Sequence, residues 1–403
     1  MGGHPCFYNV PVRVPFSRRV PADLAPNRLA ALRAAGHTPE IDLTASNPTA
    51  CGLEVPSALL APLADPAGLE YRPDPRGLGR AREAVAAEYA RFGAAVDPDR
   101  IILTASTSEA YAFLFKLLCE PRDAVLVPAP SYPLFEHLAR LEAVDAPPYH
   151  LDREAGWRLD LDELAGADGR VRAVVVVHPN NPTGSFVHPD DAADLAALAA
   201  RRGWAVIADE VFLDYPLDGG PGSGRSFAAE AAALTFVLGG LSKSVALPQL
   251  KLGWIVVGGP AELVAAARER LELVADTFLS VATPVQLAAP ALLHDGAAGR
   301  AAVLARCRVN LATLRAAAAG VGEVDVLPVG GGWSAVLRIP SVVGEEDLAV
   351  ELLVQDRVAV HPGYFFDFPA DGYLVVSLLP EPGAFAAGID RVLRRLAAHL
   401  VTP

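Results

Sequence analysis

Cysteine is scarce in this sequence. The 403 residues include four cysteines, Cys6, Cys51, Cys119 and Cys307, and they are too scattered for the ligand spacing of a metal site. The N-terminus also lacks the charged, apolar and cleavage-site pattern of a secretory signal. We therefore expect a protein of the reducing cytoplasm that holds no metal.

Basic residues are outnumbered, since 34 Lys and Arg face 47 Asp and Glu, which gives a net charge of −13. This acidic balance argues against a surface that binds nucleic acid or an anionic membrane. Long apolar runs are also missing, because charged residues and prolines interrupt the hydrophobic segments, so no membrane span is expected. The sequence shows no internal repeats.

The composition that is present is that of a globular, soluble protein, with 52% hydrophobic and 20% charged residues. A chain of 403 residues is too long for one simple core. One large and one smaller domain are therefore expected.

Patterns of β-strand and α-helix alternate along the middle of the chain. Short apolar runs rich in β-branched residues predict strands at 100–103, 124–127, 171–177, 204–208 and 235–238. Amphipathic segments between them, such as 190–202, predict helices. This alternation predicts a mostly parallel sheet with helices on both faces, and the ligand site of such a sheet lies at the carboxyl ends of its strands.

Chemically distinctive residues follow several of these strands. Hydroxyl side chains at 104–108 begin a helix, and such a helix N-terminus either binds an anion or is simply capped by its serines and threonines. Asn181, Asp209 and Lys243 each follow a predicted strand. A lysine is a useful nucleophile where its ammonium group is desolvated, although a lone Ser-Lys pair is ordinarily part of a solvated loop.

Together these groups match one cofactor. An anion cradle, an amide, a carboxylate and a lysine at one sheet edge suit a ligand with a phosphate, a phenolic oxygen, a basic ring nitrogen and an aldehyde. Pyridoxal 5′-phosphate has all four groups, so we expect it as the cofactor.

Three motifs also carry a family resemblance: HPNNPTG at 178–184, ADEVF at 208–212 and LSKSVALPQLKLGW at 241–254. TASTSEA at 104–110, PSYP at 130–133 and a loop around Tyr71 occur in supporting order. Over nearly its whole length the chain resembles the fold-type I pyridoxal-phosphate enzymes, specifically the class I/II aminotransferases.

The resemblance implies an α/β fold, in which helices flank a mostly parallel seven-stranded sheet in a large domain and a smaller α+β domain accompanies it. We place an N-terminal arm that joins the small domain at 1–45, the large cofactor-binding domain at 46–285 and the small C-terminal domain at 286–403.

The resemblance also implies a role for each site residue. Lys243 would carry the internal aldimine and move protons between the substrate Cα and the cofactor. Asp209 would pair with the ring nitrogen, Asn181 would donate to the ring 3′ oxygen and Tyr132 would stack on the ring. The residues implied around the phosphate are Thr107, Ser108, Ser242, Lys251 and, from the neighbouring subunit of a homodimer, Tyr71.

Three positions depart from the family pattern. Lys251 stands where an arginine is usual, so a point charge replaces the bidentate contact of a guanidinium group with the phosphate. Gly240 stands where many members have a phosphate-binding serine. Phe212 stands where a tyrosine usually donates to the ring 3′ oxygen, unless Asn181 or Tyr215 compensates for it.

A fourth departure concerns the substrate. Members of the family typically have an arginine near the C-terminus that binds the substrate α-carboxylate with two hydrogen bonds, and this chain has Val375 in its place. Two interpretations stay open. Arg338, or His361 with Asn47, supplies a relocated carboxylate site, or the amino donor lacks an α-carboxylate or presents it differently.

The resemblance implies an aminotransferase that takes an amino group from an amino acid or amine and passes it to a 2-oxo acid by a ping-pong mechanism. A lyase, decarboxylase or cyclase on the same fold is the first alternative, because the cofactor residues do not decide the reaction outcome. A cofactor-binding transcriptional regulator is the second. Such regulators carry a basic DNA-binding domain ahead of this fold. The residues that precede the fold in this sequence are too few for such a domain.

Overall fold

The computed structural model describes residues 16–340 and 343–401. Residues 1–15 of the predicted arm, Cys6 among them, lie outside the described part.

Fourteen strands occur in the described residues. They are β1 (Ile41–Asp42), β2 (Ile101–Thr104), β3 (Ala124–Ala129), β4 (Pro148–Asp152), β5 (Arg158–Leu159), β6 (Val171–Val177), β7 (Ala205–Asp209), β8 (Thr235–Gly240), β9 (Gly253–Gly258), β10 (Asp325–Val326), β11 (Ser334–Arg338), β12 (Val358–Ala359), β13 (His361–Pro362) and β14 (Tyr373–Ser377).

Twelve α-helices occur in the same residues. They are α1 (Arg28–Ala34), α2 (Gly79–Tyr89), α3 (Thr107–Leu118), α4 (Phe135–Leu141), α5 (Leu161–Ala165), α6 (Pro189–Arg202), α7 (Leu241–Ser244), α8 (Ala261–Phe278), α9 (Thr283–Asp295), α10 (Ala297–Ala318), α11 (Glu345–Glu351) and α12 (Pro382–Val401). None of these helices is long and apolar enough to cross a lipid bilayer.

The large sheet has the strand order β2-β9-β8-β7-β6-β3-β4-β5. Strands β8, β7, β6, β3 and β4 run parallel to one another, while β9 is antiparallel to both of its neighbours. The two-residue strand β5 extends the expected seven-stranded sheet at one edge. The predicted fold class is confirmed.

Both faces of this sheet are buried, and strand β6 shows how the sequence achieves it. Val174 and Val176 pack into one apolar cluster with helices α2, α6 and α9, and Val175 and Val177 pack into another with α3, α4 and α8. Because successive side chains of a strand point to opposite faces, an unbroken run of valines serves both clusters.

A smaller antiparallel sheet, in the order β10-β11-β14-β13, lies in the C-terminal part of the chain. It shares an apolar cluster with α10, α11 and α12. The parallel pair of β1 and β12 ties the N-terminal segment to this part, with Ile41 opposite Val358. The domain boundaries at 45 and 285 stay a prediction.

The carboxyl ends of the parallel strands form one edge of the large sheet. Asp209 ends β7, Asn181 follows β6, and Lys243 lies in the single helical turn that follows β8. The topology therefore gathers three of the predicted site residues at the edge where ligands bind in this class of sheet.

Candidate active site

A cavity of about 390 Å³ opens at this edge and is bounded on its other side by the smaller sheet. Its walls include ten of the residues predicted from the sequence: Thr107, Ser108, Tyr132, Asn181, Asp209, Phe212, Ser242, Lys243, His361 and Val375. Four other predicted residues are not among its walls, namely Asn47, Tyr71, Lys251 and Arg338.

Two glycines shape the end of strand β8, just before Lys243. A Cβ atom on Gly239 would lie 2.5 Å from Nε1 of Trp254, and one on Gly240 would lie 3.1 Å from the carbonyl oxygen of Leu252. A serine at position 240 would therefore be crowded. The close approach of β8 and β9 allows the α7 turn to place Lys243 in the cavity wall.

Lys243 lies in a weakly solvated, aromatic part of the cavity. Its Nζ is 4.7 Å from the ring centre of Trp333 and 5.5 Å from that of Phe212. Burial lowers the pKa of Lys243 to about 8, against the attraction of Asp209. About a tenth of the amine is thus neutral at pH 7, far more than for an ordinary lysine, which favours its use as a nucleophile.

Asp209 is held at both carboxylate oxygens. Oδ1 accepts a hydrogen bond from the backbone N–H of Val211 at 3.2 Å, and Oδ2 accepts one from the phenol of Tyr111 at 3.0 Å. Burial raises the pKa of Asp209 to about 6, while these two hydrogen bonds and the charge of Lys243 oppose the increase. The carboxylate is therefore fixed and largely ionised at neutral pH.

The start of helix α3 fits an anion. Ser106 is the N-cap and accepts from the backbone N–H of Glu109 at 3.1 Å, and the Glu109 side chain accepts from the N–H of Ala105 at 2.6 Å. This reciprocal cap leaves Thr107 and Ser108, at the first two helical positions, to face the cavity. Capping thus accounts for Ser106, while anion binding by Thr107 and Ser108 stays a prediction.

The other phosphate contacts are less uniform. Ser242 lines the cavity, whereas Lys251 is exposed and adopts a left-handed backbone conformation with φ of 52° beyond the cavity wall. Lys251 is not among the residues that line the cavity, and its contact with the phosphate stays a prediction. Tyr71 is 74% exposed and does not line the cavity of its own chain.

The aromatic groups beside Lys243 clarify the Phe212 substitution. Phe212 packs edge-on against Trp333, with ring centres 5.3 Å apart. Tyr215 is buried and donates its hydroxyl hydrogen to the backbone carbonyl of Lys243, so it is not the compensating donor. Asn181 accepts from Ser334 at 3.3 Å through its amide oxygen, which directs its amide nitrogen to act as a donor.

Two predicted carboxylate ligands lie away from the cavity. Arg338 is at the exposed end of β11, where it forms an ion pair of 3.0 Å with Asp325. Asn47 is exposed and caps a short helical turn by accepting from the N–H of Thr49 at 3.1 Å. Neither residue lines the cavity, and the side chain of each contacts a neighbour outside it, so the structure does not support either of them as a carboxylate ligand.

His361 does line the cavity and stands opposite Val375 in the pairing of β13 with β14. Burial lowers the pKa of His361 to about 4, so its imidazole is neutral at neutral pH and supplies no charge for a carboxylate. Thr44 and Ser46, which the sequence analysis did not single out, line this end of the cavity instead of Asn47.

The residues present fit pyridoxal 5′-phosphate. The helix end with Thr107 and Ser108 suits a phosphate, and a Cβ on the adjacent Gly253 would lie 3.0 Å from the carbonyl carbon of Ser106 and narrow the space beside it. Asp209 suits a protonated ring nitrogen, and Lys243 suits an aldehyde. No group of three or more metal-ligating side chains occurs in the described part of the chain.

Comparison with known proteins gives consistent results. A family model described as aminotransferase class I and II matches residues 39–381. An alanine aminotransferase of Mycobacterium tuberculosis is 29% identical over 387 residues, which cover 92% of this chain and 88% of that protein. A glutamate–pyruvate aminotransferase of Haemophilus influenzae is 25% identical over 372 residues, covering 89% of this chain and 91% of that protein.

Solved structures share the fold. An alanine aminotransferase from Pyrococcus furiosus superposes with a TM-score of 0.82 at 23% identity, covering 92% of this chain and 95% of that one. A tyrosine aminotransferase from Leishmania infantum gives a TM-score of 0.81 at 20% identity, covering 90% and 92%.

Proposed function

The chain belongs to the class I and II aminotransferases, and we propose that Lys243 and Asp209 form the catalytic centre of its pyridoxal-phosphate-dependent amino transfer. The enzyme moves an amino group from an amino donor to a 2-oxo acid in two half-reactions. The observation that carries the proposed centre is the position of Lys243 Nζ and the Asp209 carboxylate in one cavity at the strand ends.

Each residue has a defined task in this proposal. Once bound, pyridoxal phosphate takes up the electron pair that is released at the substrate Cα. The Lys243 amine would hold the cofactor and, once released, would move a proton at that carbon. The ionised Asp209 keeps the ring nitrogen protonated, since an adjacent carboxylate favours the cationic form.

The other residues of the cavity wall bind and orient the cofactor. Thr107, Ser108 and Ser242 would donate to the phosphate, Asn181 would donate to the ring 3′ oxygen, and Tyr132 would cover one ring face. Phe212 and Trp333 exclude water from the space around Lys243. A drier site strengthens the electrostatic contacts made there.

We also propose a homodimer in which Tyr71 reaches the phosphate of the neighbouring subunit. The strong exposure of Tyr71 and of nearby Leu69, which is 93% exposed, supports an unfilled contact surface in the single chain. A cytoplasmic location stays a prediction from the sequence.

The test is a single-turnover panel. The holoenzyme is mixed with α-amino acids and amines, the cofactor absorbance is followed, and the carbon product is identified by mass spectrometry. Conversion of the cofactor to its amine form with release of the matching oxo product supports amino transfer. Loss of carbon dioxide, or an eliminated or cyclic product, with the cofactor returned unchanged would point to one of the alternative reactions on this fold.

A further inference from the structure

A second cavity adjoins the active site. It measures about 170 Å³ and shares three wall residues with the larger cavity: Thr44, His361 and Phe365. Its other walls come from helix α1 and the C-terminal part of the chain, and Arg33 of α1 is among them. A cationic side chain thus lies directly behind the end of the active site where Val375 replaces the family's arginine.

The guanidinium of Arg33 is near the shared wall. Its Nη2 lies 3.4 Å from Oγ1 of Thr44 and 3.4 Å from Oδ2 of Asp42. The side chain of Arg33 is 40% exposed and that of Asp42 is 37% exposed. An ion pair so long and so hydrated contributes little free energy, so an incoming anion displaces or shares it easily.

The position of His361 links Arg33 to Val375. His361 stands opposite Val375 in the smaller sheet, and the charge of Arg33 adds to burial in keeping the imidazole neutral, against the carboxylate of Asp42. Arg33 therefore acts electrostatically on the residue that adjoins Val375. The other charged group of this corner is Asp42, whose Oδ1 accepts from the N–H of Thr44 at 2.8 Å and from its hydroxyl at 2.5 Å.

We propose that Arg33 binds the carboxylate of the substrate, in a relocated subsite bounded by Thr44 and His361. This inference rests on the proposed function and specifies its substrates as α-amino acids and 2-oxo acids. Arginine is suited to the task because its five N–H donors form a planar fork. One edge of the fork stays on Asp42 while the other receives the carboxylate, and the neutral His361 donates a hydrogen bond to the carboxylate without adding charge.

The kinetic test compares donors with and without the carboxylate. The pairs are L-alanine with ethylamine, L-leucine with 3-methylbutylamine and L-phenylalanine with 2-phenylethylamine, each in single-turnover reactions of the holoenzyme. Arg33→Gln should lower the ratio of rate constant to apparent dissociation constant about 10- to 100-fold for the amino acids, the range expected for a lost hydrogen bond to a charged group. The amines should change less than about twofold.

Arg28 supplies the matched control. It lies on the same helix, is similarly exposed and pairs with Asp347 at 2.5 Å, away from both cavities. Arg28→Gln should leave both classes of donor unaffected. Arg33→Lys, which keeps the charge and loses the fork, should fall between wild type and Arg33→Gln.

A binding experiment removes the dependence on turnover. Calorimetry with 3-phenylpropionate, an unreactive carboxylate, should show weaker binding to Arg33→Gln and unchanged binding to Arg28→Gln. Equal binding to the wild type and Arg33→Gln, or amines reacting as well as their amino acids, would overturn the subsite. If no donor converts the cofactor but Arg33→Gln still binds 3-phenylpropionate more weakly than the wild type does, amino transfer is contradicted. The carboxylate subsite is then still supported.

Discussion

The phenol of Tyr111 donates a hydrogen bond to Oδ2 of Asp209 across 3.0 Å, which joins helix α3 to the end of strand β7. Tyr111 is buried and packs edge-on against Phe135 with ring centres 5.5 Å apart, so its hydroxyl has a fixed direction. The same helix thus presents its N-terminus to the phosphate position and, one turn later, orients the carboxylate for the ring nitrogen.

Removal of this hydroxyl should weaken cofactor binding and shift its pH dependence. In Tyr111→Phe the pKa of Asp209, already raised to about 6 by burial, loses one of the contacts that oppose the increase and rises further. The ionised form needed by the ring nitrogen is lost as pH falls through that pKa, so the acid limb of the activity profile should move to higher pH. The cofactor dissociation constant at pH 7 should rise about 10-fold.

Tyr149→Phe is the control for this experiment. Tyr149 is also buried, but its hydroxyl donates to the carbonyl of Val175 at 2.9 Å and not to a carboxylate. Tyr149→Phe should reduce the stability of the protein without moving the acid limb of the activity profile. An unmoved acid limb in Tyr111→Phe would show that the Tyr111 hydroxyl is merely structural.

The sequence alone predicted the fold because strand and helix periodicities are local, and the order of elements then brings residues such as Asp209 and Lys243 to one edge. Tyr111 escaped prediction because its pattern on α3 is that of a core residue, and only the tertiary structure shows which polar group its hydroxyl meets. Arg338 was misplaced for the opposite reason. Its strand was recognisable, but the side chain lies at the strand end and pairs with Asp325.

The substrate end of the cavity was the least predictable part. Thr44 and Arg33 come near Val375 through the pairing of β1 with β12 and through the smaller sheet, contacts between segments about 300 residues apart. No periodicity within either segment signals such a pairing.

The protonation of Lys243 gives a second prediction. Its pKa is lowered from 10.5 to about 8, so between these values the unfolded chain holds a proton that the folded chain has released. The contribution of Lys243 to the folding stability of the cofactor-free enzyme should therefore increase as pH rises through this range. The rate at which cofactor-free enzyme takes up pyridoxal phosphate should likewise rise with a midpoint near pH 8, measured by stopped-flow absorbance. An uptake rate that stays constant between pH 7 and 9 would contradict a dependence on the neutral Lys243 amine.

A third prediction concerns Phe212. In Phe212→Tyr a phenol next to Lys243 should donate to the ring 3′ oxygen and stabilise its anion, which lowers the pKa of the protonated imine between lysine and cofactor by about one unit. Spectrophotometric titration of the holoenzyme measures it. Phe365→Tyr adds a hydroxyl at another wall of the same cavity and should leave the titration unchanged. No downward shift in Phe212→Tyr would indicate that Asn181 already supplies the full stabilisation.

Gly240→Ser tests whether steric crowding explains why this chain has no phosphate-binding serine at position 240. A Cβ at this position would lie 3.1 Å from the carbonyl oxygen of Leu252 and 3.2 Å from Cα of Gly253. We expect a loss of about 1–3 kcal/mol in the free energy of unfolding, as for other overpacked positions, and no gain in cofactor affinity. Denaturant unfolding and cofactor titration measure the two quantities. A stable variant that binds the cofactor more tightly would refute the steric explanation.

Chemical trapping tests whether Lys243 is the residue that holds the cofactor. The holoenzyme is reduced with sodium borohydride, digested and mapped by mass spectrometry, with unreduced enzyme as the control. A pyridoxyl group is expected on Lys243, within the peptide that contains residues 241–254. A pyridoxyl group on Lys251, or on a lysine elsewhere in the chain with Lys243 unmodified, would contradict it.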